Sequence, residues 1–437
     1  MARPKVDKQN AKLEIAQSTK DYILGGIRHV CETYKKRLPG TQSERDAQAF
    51  FEKELKGYSD HVRMQDFTLR PGAFMGWIPI SISLVMISVP LFLFSNGNVW
   101  MAVAGAVLPL LATLMFLFEF IFYREFIDFL FPKRVSRNVY ATRKPSGEVK
   151  RRIIFGGHTD VAHEWTFSYL GGVKALAPVM GGAAAAVFTA LAANVANAAY
   201  TIAANISGYN DFDSKFEGGW LAWTIALLVL MLPAACMFFF VNYRKACDGA
   251  NDNLSANYIA MAVLKEMHDA GIRFEHTEVG CLLSGSEESG LRGAKAFAKA
   301  NMEELSDPKV ETVFIALDTM RETEELRVCN FGCTGTVKND LAVGDLIHAA
   351  AKSCGIDMPD TEIYPGAIDA EAFSRLGLRA SGFTGVSHEA KRYYHTREDT
   401  ADNVDVDCIA LSLNICKEAA RIFDEKGMKE FDRLRRG

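Results

Sequence analysis

Val279-Gly280-Cys281-Leu282-Leu283-Ser284-Gly285-Ser286-Glu287-Glu288-Ser289-Gly290-Leu291 sets two adjacent carboxylates at the end of an apolar, strand-like run. Carboxylates at the end of a buried strand are expensive to desolvate, and a bound metal ion is the most economical reason to keep them there. Adjacent side chains on an extended segment point in opposite directions, so one glutamate can bind a metal while its neighbour handles a proton. Taken alone, the pair reads more simply as a solvated acidic loop. The chain on either side reverses that reading.

Ile153-Ile154-Phe155-Gly156-Gly157-His158-Thr159-Asp160 is a second apolar strand, stopping at a histidine. Asp160, two residues on, falls on the same side as His158 and is placed to accept its second imidazole N–H, the usual support of a zinc-bound histidine. Gly249-Ala250-Asn251-Asp252-Asn253-Leu254-Ser255 is a turn-rich stretch before the helical run Ala256 to His268, where Asp252 is either a ligand or an ordinary helix N-cap. Val313-Phe314-Ile315-Ala316-Leu317-Asp318 is a third apolar strand ending in an acid, and Tyr393-Tyr394-His395-Thr396-Arg397-Glu398-Asp399-Thr400 puts a histidine in a polar loop before the last helix. In a doubly wound sheet the carboxyl ends of strands form the ligand crevice. Mixed nitrogen and oxygen ligands suit zinc, and cobalt or manganese less well.

In this order the motifs His-x-Asp, Gly-x-x-Asp-Asn, Glu-Glu-x-Gly, Asp and Tyr-His-Thr-x-x-Asp resemble the family-28 zinc metallopeptidases, which include leucyl aminopeptidases, glutamate carboxypeptidase and glutaminyl cyclases. Arg37-Leu38-Pro39-Gly40-Thr41 with the helix that follows, and Asn138-Val139-Tyr140-Ala141, extend the resemblance over residues 10–72, 136–162 and 247–435. It implies the zinc exopeptidase fold: an α/β domain with a mostly parallel central sheet of about eight strands flanked by helices. It also implies two Zn2+ ions. His158, Asp252 and Asp318 would hold one; Asp252, Glu288 and His395 would hold the other, with Asp252 shared. Asp160 and Glu287 are the implied catalytic residues, Glu287 as the general base that takes a proton from the attacking water and returns it to the leaving amine. The sequence departs from the family around Asp318, and at Ile368-Asp369-Ala370, where a Ser-Asp-His triplet is common. Tyr364 is a candidate oxyanion contact, and Arg321 and Arg392 are candidate partners for a substrate carboxylate, although a surface role is simpler for both. His163 and His388 read as ordinary loop or surface histidines.

The chain has 437 residues, 49% of them hydrophobic, and a net charge of −4. The apolar excess is local. Phe74 to Phe94, Val99 to Phe118 (extended by Phe120 to Tyr123) and Trp220 to Tyr243 are long enough to cross a bilayer. A fourth, Ala- and Gly-rich run, Ala175 to Asn210, carries Asn194, Asn197 and Asn205, as suits a helix packed on other membrane helices. These runs form two hairpins, 74–123 and 166–243, inserted into a catalytic domain assembled from 1–73, 124–165 and 244–437. The Asn194/Asn197 face and the small residues Gly181 to Ala186 are expected to pack helices within one chain or to join a homodimer.

Basic residues flank the catalytic side of the hairpins (Arg124, Lys133, Arg134, Arg137, Arg143, Lys144, Arg244, Lys245), whereas the tip 209–219 sets Lys215 against Asp211, Asp213 and Glu217. The positive-inside rule therefore predicts a cytoplasmic catalytic domain. Met1 to Ser18 is polar with no apolar signal region, and with no eukaryotic targeting signal a prokaryotic plasma membrane is the expectation. Nine cysteines without paired spacing fit a reducing compartment; Cys329 and Cys333 lack further partners for a metal site. Both ends of the second hairpin join the chain beside candidate ligands, and Arg124 to Pro132 reads as a short interfacial helix, so the expected site faces the bilayer.

The predicted activity is that of an aminopeptidase, with an amidohydrolase acting on N-acyl amino acids or lipopeptides as the alternative. A non-catalytic scaffold is disfavoured because every ligand position is filled. A transporter is disfavoured because the three best spans carry no charged residue apart from Glu119. No phosphate-binding loop or basic nucleic-acid patch is present. The expected partners are a peptide or lipophilic amide and the lipid bilayer.

Overall fold

The computed structural model describes residues 4–6, 11–209, 212, 214–363, 365–386 and 393–436. It divides into two compact units. One comprises Met1–Pro71, Pro132–Glu164 and Arg244–Gly437; the other comprises Gly72–Phe131 and Trp165–Tyr243.

The first unit is built on one mixed sheet. Its strands are β1 (His61–Leu69), β2 (Arg134–Arg143), β3 (Arg151–His158), β4 (Thr277–Ser284), β5 (Glu311–Met320), β6 (Arg327–Gly332), β7 (Val337–Lys338), β8 (Asp360–Glu362) and β9 (Ala380–Gly385). Their order is β7-β6-β9-β5-β3-β4-β2-β1, with β8 alongside β6. The four central strands β9, β5, β3 and β4 run parallel, and helices on both faces leave Ile153, Ile154 and Phe155 of β3 fully buried. Toward either edge β2, β1, β6 and β7 pair antiparallel along this order, while β8 runs parallel to β6, so the sheet is parallel at the centre and mixed at the ends. In the register, His158 of β3 stands opposite Ser284 of β4, and Phe155 opposite Ile315 of β5. The carboxyl ends of these strands and the loops after them therefore share one edge.

Helices Gln17–Thr33, Gln42–Leu55, Ala256–Asp269, Arg292–Ala300, Leu341–Ser353 and Val406–Lys426 supply the covering layers. Ile23, Ile27, Phe51, Leu55 and Tyr258 anchor the core on one face. Gly26 permits a close approach here, because a Cβ would meet the Tyr258 ring at 2.3 Å. The first helix begins only at Gln17. Residues 11–16 are extended, held where Lys12 N–H donates to Cys354 O (3.0 Å) and Asn414 Nδ2 donates to Lys12 O (2.8 Å) and Glu14 O (3.2 Å). Helix Gln42–Leu55 begins with a reciprocal cap: Thr41 Oγ1 accepts from Glu44 N–H at 3.3 Å, and Glu44 Oε2 accepts from Gly40 N–H at 2.7 Å. The other oxygen of Glu44 accepts from Ser286 Oγ at 2.9 Å, tying this helix start to the loop that carries Glu287.

In the second unit, four helices are long and apolar enough to cross a membrane: Ala73–Phe94, Val99–Ile121, Val173–Ile206 and Trp220–Phe239. Val85, Val89, Phe92, Ala112, Val187, Ala190, Ala193 and Leu227 form their shared core. Asn194 Nδ2 donates to Ala190 O at 2.9 Å and to Ser88 Oγ at 3.4 Å, and Asn197 Nδ2 donates to Ser95 Oγ at 3.1 Å. These asparagines are thus used within the chain. Gly105 lets the helices close on them, since a Cβ there would meet Asn194 Oδ1 at 2.5 Å. The expected interfacial helix from Arg124 to Pro132 is absent. Tyr123, at φ 49°, ends the preceding helix, the Glu119 carboxylate takes the Ile127 N–H at 2.7 Å, and only Asp128–Leu130 form a single 3-10 turn. Asp211 and Asp213 lie outside the described residues.

Candidate metal centre

His158 is the last residue of β3, and Asn257 Nδ2 holds its carbonyl at 2.7 Å. Its Nε2 lies 3.1 Å from Asp252 Oδ1 and 3.8 Å from Glu287 Oε2. On the opposite side of Asp252, His395 Nε2 stands 3.0 Å from Oδ2 and 3.2 Å from Glu288 Oε1. The two oxygens of one buried carboxylate thus face two different imidazoles. Asp252 does not cap the following helix. It and Asn253 adopt non-helical backbone angles, and the Asp252 side chain is committed to the histidines.

Asp160 has a wider part than the expected support of one imidazole. Its Oδ1 and Oδ2 accept the backbone N–H groups of Glu287 (2.9 Å) and Glu288 (3.0 Å), and Oδ1 also lies 3.5 Å from His158 Nδ1. Asp160 therefore fixes the turn that presents both glutamates with its carboxylate and meets the His158 Nδ1 with its own backbone carbonyl, 3.3 Å away. Asp318, near the end of β5, accepts from Thr319 Oγ1 at 2.7 Å.

Several residues that motif order does not assign hold this arrangement. Asp399 accepts from Asn251 N–H and Nδ2, each at 2.8 Å, and from Asp252 N–H at 3.2 Å, so it clamps the turn bearing the shared carboxylate. Asn253 Nδ2 donates to Leu317 O (2.9 Å) and its Oδ1 accepts from Thr319 N–H (3.2 Å), linking the same turn to Asp318. Buried Arg37 donates to Thr159 O (3.1 Å), Tyr34 O (3.3 Å) and Asp248 O (2.8 Å), joining the loops after His158 and before Asp252. Ser284 Oγ donates to buried Asp369 Oδ2. Asp399 and Asn253 both sit inside the recognised motifs; the spacing signalled them without giving a role.

Electrostatically the cluster holds more negative charge than its own imidazoles can balance. Burial, then the charge of Asp252, pushes Asp318 up to about 8. Burial also raises Glu287 and Glu288, opposed by the neighbouring histidines. For Asp252 burial acts upward, but His158 and His395 outweigh it and hold the carboxyl below its usual range. Burial would lower His395, yet Glu288 and Asp252 raise it to about 10. A dication among these groups would return the acids to their ionised forms.

The donor set fits zinc. Two ligand atoms about 2.1 Å from a common tetrahedral ion stand roughly 3.4 Å apart, close to the 3.0, 3.1 and 3.2 Å contacts here. His158, Asp252 and Glu288 offer ligand atoms all within 4.8 Å of one another. Among the other candidates, Arg321 is engaged by Asn403 Oδ1 (2.8 Å) and lies 3.6 Å from Asp405. His163 Nδ1 lies 3.2 Å from Lys245 O. Tyr364, His388 and Arg392 lie outside the described residues.

Residues 238–419 match the family described as Peptidase family M28. Among solved structures, the chain is similar to an aminopeptidase from Aneurinibacillus sp. strain AM-1 (16% identity, 92% of this chain and 93% of that one, TM-score 0.51). It is likewise similar to a glutaminyl cyclase from an Acidobacteriales bacterium (12%, 97% and 99%, 0.50) and to a leucine aminopeptidase precursor from Bacteroides thetaiotaomicron (12%, 92% and 96%, 0.50). At these identities the likeness is one of fold. No curated protein matches the chain.

Proposed function

We propose, on the premise of a family-M28 peptidase domain, that this chain is a membrane-anchored, di-zinc aminopeptidase whose catalytic unit faces the cytoplasm. The observation that carries the reading is the division of Asp252's two oxygens between His158 and His395, with Glu287 and Glu288 presented side by side. His158, Asp252 and Asp318 would hold one ion, and Asp252, Glu288 and His395 the other. Bound zinc supplies a Lewis acid for the scissile carbonyl and lowers the pKa of water.

The protein's own groups do the rest. Glu287, 3.8 Å from His158 and presented beside Glu288, is suited to take a proton from the attacking water and pass it to the leaving amine. Asp160 keeps Glu287 and Glu288 in register by holding both of their backbone N–H groups. The aminopeptidases among the structural neighbours support the choice of a free-amine substrate. The four apolar helices support anchoring, and the basic flanks at Arg124, Lys133, Arg134, Arg244 and Lys245 support the cytoplasmic orientation.

The test is a hydrolysis screen of the purified, zinc-loaded protein over free-amine dipeptides, their N-acetylated copies and N-acyl amino acids. Cleavage of the free-amine set is expected, falling about 10²–10⁴-fold in Glu287→Ala with metal content unchanged. Turnover confined to acylated substrates would replace the reading with a membrane amidohydrolase. Turnover indifferent to Glu287 would remove the enzymatic assignment.

A further inference from the structure

His395 adopts a left-handed backbone conformation, φ 51°. For a residue with a Cβ that geometry is disfavoured and persists only where flanking contacts impose it. The flanks are tied to separate elements. Tyr393 Oη donates to Glu322 at 2.9 Å, the Tyr394 ring stacks on the imidazole at 4.1 Å, and Asp399 clamps Asn251. Two residues beyond the imidazole, Arg397 grips Glu164: Nε to Oε2 is 2.6 Å and Nη2 to Oε1 is 2.7 Å, with Arg397 N–H a further 3.4 Å from Oε2.

This pair differs from the surface ion pairs of the same unit. The Glu164 side chain is 2% exposed and that of Arg397 41% exposed, so a buried carboxylate is met by a guanidinium reaching in from the surface in fork geometry. Glu164 is itself fixed in place. The neighbouring His163 Nδ1 lies against Lys245 O at 3.2 Å, and Cys247 N–H donates to Ala162 O at 3.0 Å, which binds together the two chain ends that bracket the second inserted segment.

We infer that Glu164 and Arg397 are a positioning pair that holds His395 toward Asp252 and Glu288, so that metal affinity at the His395 side of the centre depends on a carboxylate placed where the chain departs for its second apolar segment. The inference rests on the metal reading above. Released from Glu164, the loop can relax to negative φ and turn the imidazole away.

Zn2+ titration of the full-length protein against a competing chelator tests it. Glu164→Gln and Arg397→Ala should each weaken one of two zinc equivalents by about 10–100-fold and leave the other unchanged. The double reversal Glu164→Arg/Arg397→Glu should recover most of the loss. Arg28→Ala, which removes the exposed Arg28–Asp402 pair, should bind both equivalents as wild type does. Folded single variants that bind two equivalents at wild-type affinity would overturn the inference. Arg397→Lys, which keeps the charge and loses the fork, supplies the same readout if the larger changes prevent folding; wild-type affinity in it would equally overturn the pair's role. Wild-type protein that binds no zinc would instead remove the metal premise, a distinguishable result.

Discussion

The two units bury polar groups by opposite strategies. In the unit of four apolar helices the buried polar groups are chiefly neutral: Asn194 with Ser88, Asn197 with Ser95, and Thr224 with a carbonyl. Its buried charges among the described residues are Glu119, which takes a backbone N–H, and Lys215, whose ammonium lies 3.9 Å from the Trp220 ring centroid. The α/β unit instead concentrates Asp160, Asp252, Asp369, Asp399 and two histidines at one sheet edge, all buried, with Glu287, Glu288 and Asp318 beside them. Neutral pairs hold each other without a counter-charge. An acidic cluster of this density suits a cation. Burial of polar atoms thus accompanies helix packing in one unit and a candidate metal centre in the other.

Removing the shared carboxylate should break this contrast most severely. Asp252→Ala is expected to abolish zinc-dependent turnover and to erase the rise in thermal midpoint on adding zinc, a stabilisation of about 4 kcal/mol for an ion at a thousand times its Kd. Scanning calorimetry with and without chelator measures it, and an unchanged zinc-induced shift would contradict the assignment of Asp252.

A smaller effect is expected at Glu371, a buried acid away from the ligands. It accepts from Asn339 Nδ2 at 2.7 Å and from Ile368 N–H at 2.5 Å, and burial raises it to about 7 despite those bonds. In the unfolded chain it ionises near 4.5. The folded state therefore binds the extra proton between these values, and stability falls as pH rises from about 4.5 to 7, by up to roughly 3 kcal/mol. Glu371→Gln should flatten that part of the stability–pH curve; an unaltered slope would show that other groups set it. Least costly is Asn194→Ala in the unit of four apolar helices, expected to lose about 1 kcal/mol and to leave kcat unchanged. A large loss of activity in that variant would mean that the neutral network serves more than packing.

His158, Glu287, Glu288 and Asp318 stand out as candidates because each closes an apolar strand, whereas Asp252, in a turn, and His395, in a polar loop, emerge only from the order of the motifs. The four apolar helices were legible from composition alone, and even the small-residue run forms one continuous helix, Val173–Ile206. What escaped depends on contacts remote along the chain. Asp399 acts on Asn251 and Asp252, and Asn253 on Leu317 and Thr319, so neither role shows in local spacing. The extended stretch at residues 11–16 carries no breaker; it is unwound by tertiary bonds from Asn414. The antiparallel flanks of the sheet follow from pairing, which apolar runs do not encode.

Arg37 ties together Thr159 and Asp248, and between each of these three positions in the chain lies one of the apolar inserted segments. A ribosome releases the arginine first, then one greasy segment, then Thr159, then the next greasy segment, then Asp248. The guanidinium finds its last acceptor only after both segments have emerged, and His395 follows later still. The candidate metal centre is therefore a late product of translation, completed only after both apolar segments have emerged, and a nascent chain stalled before that point lacks its His395 side.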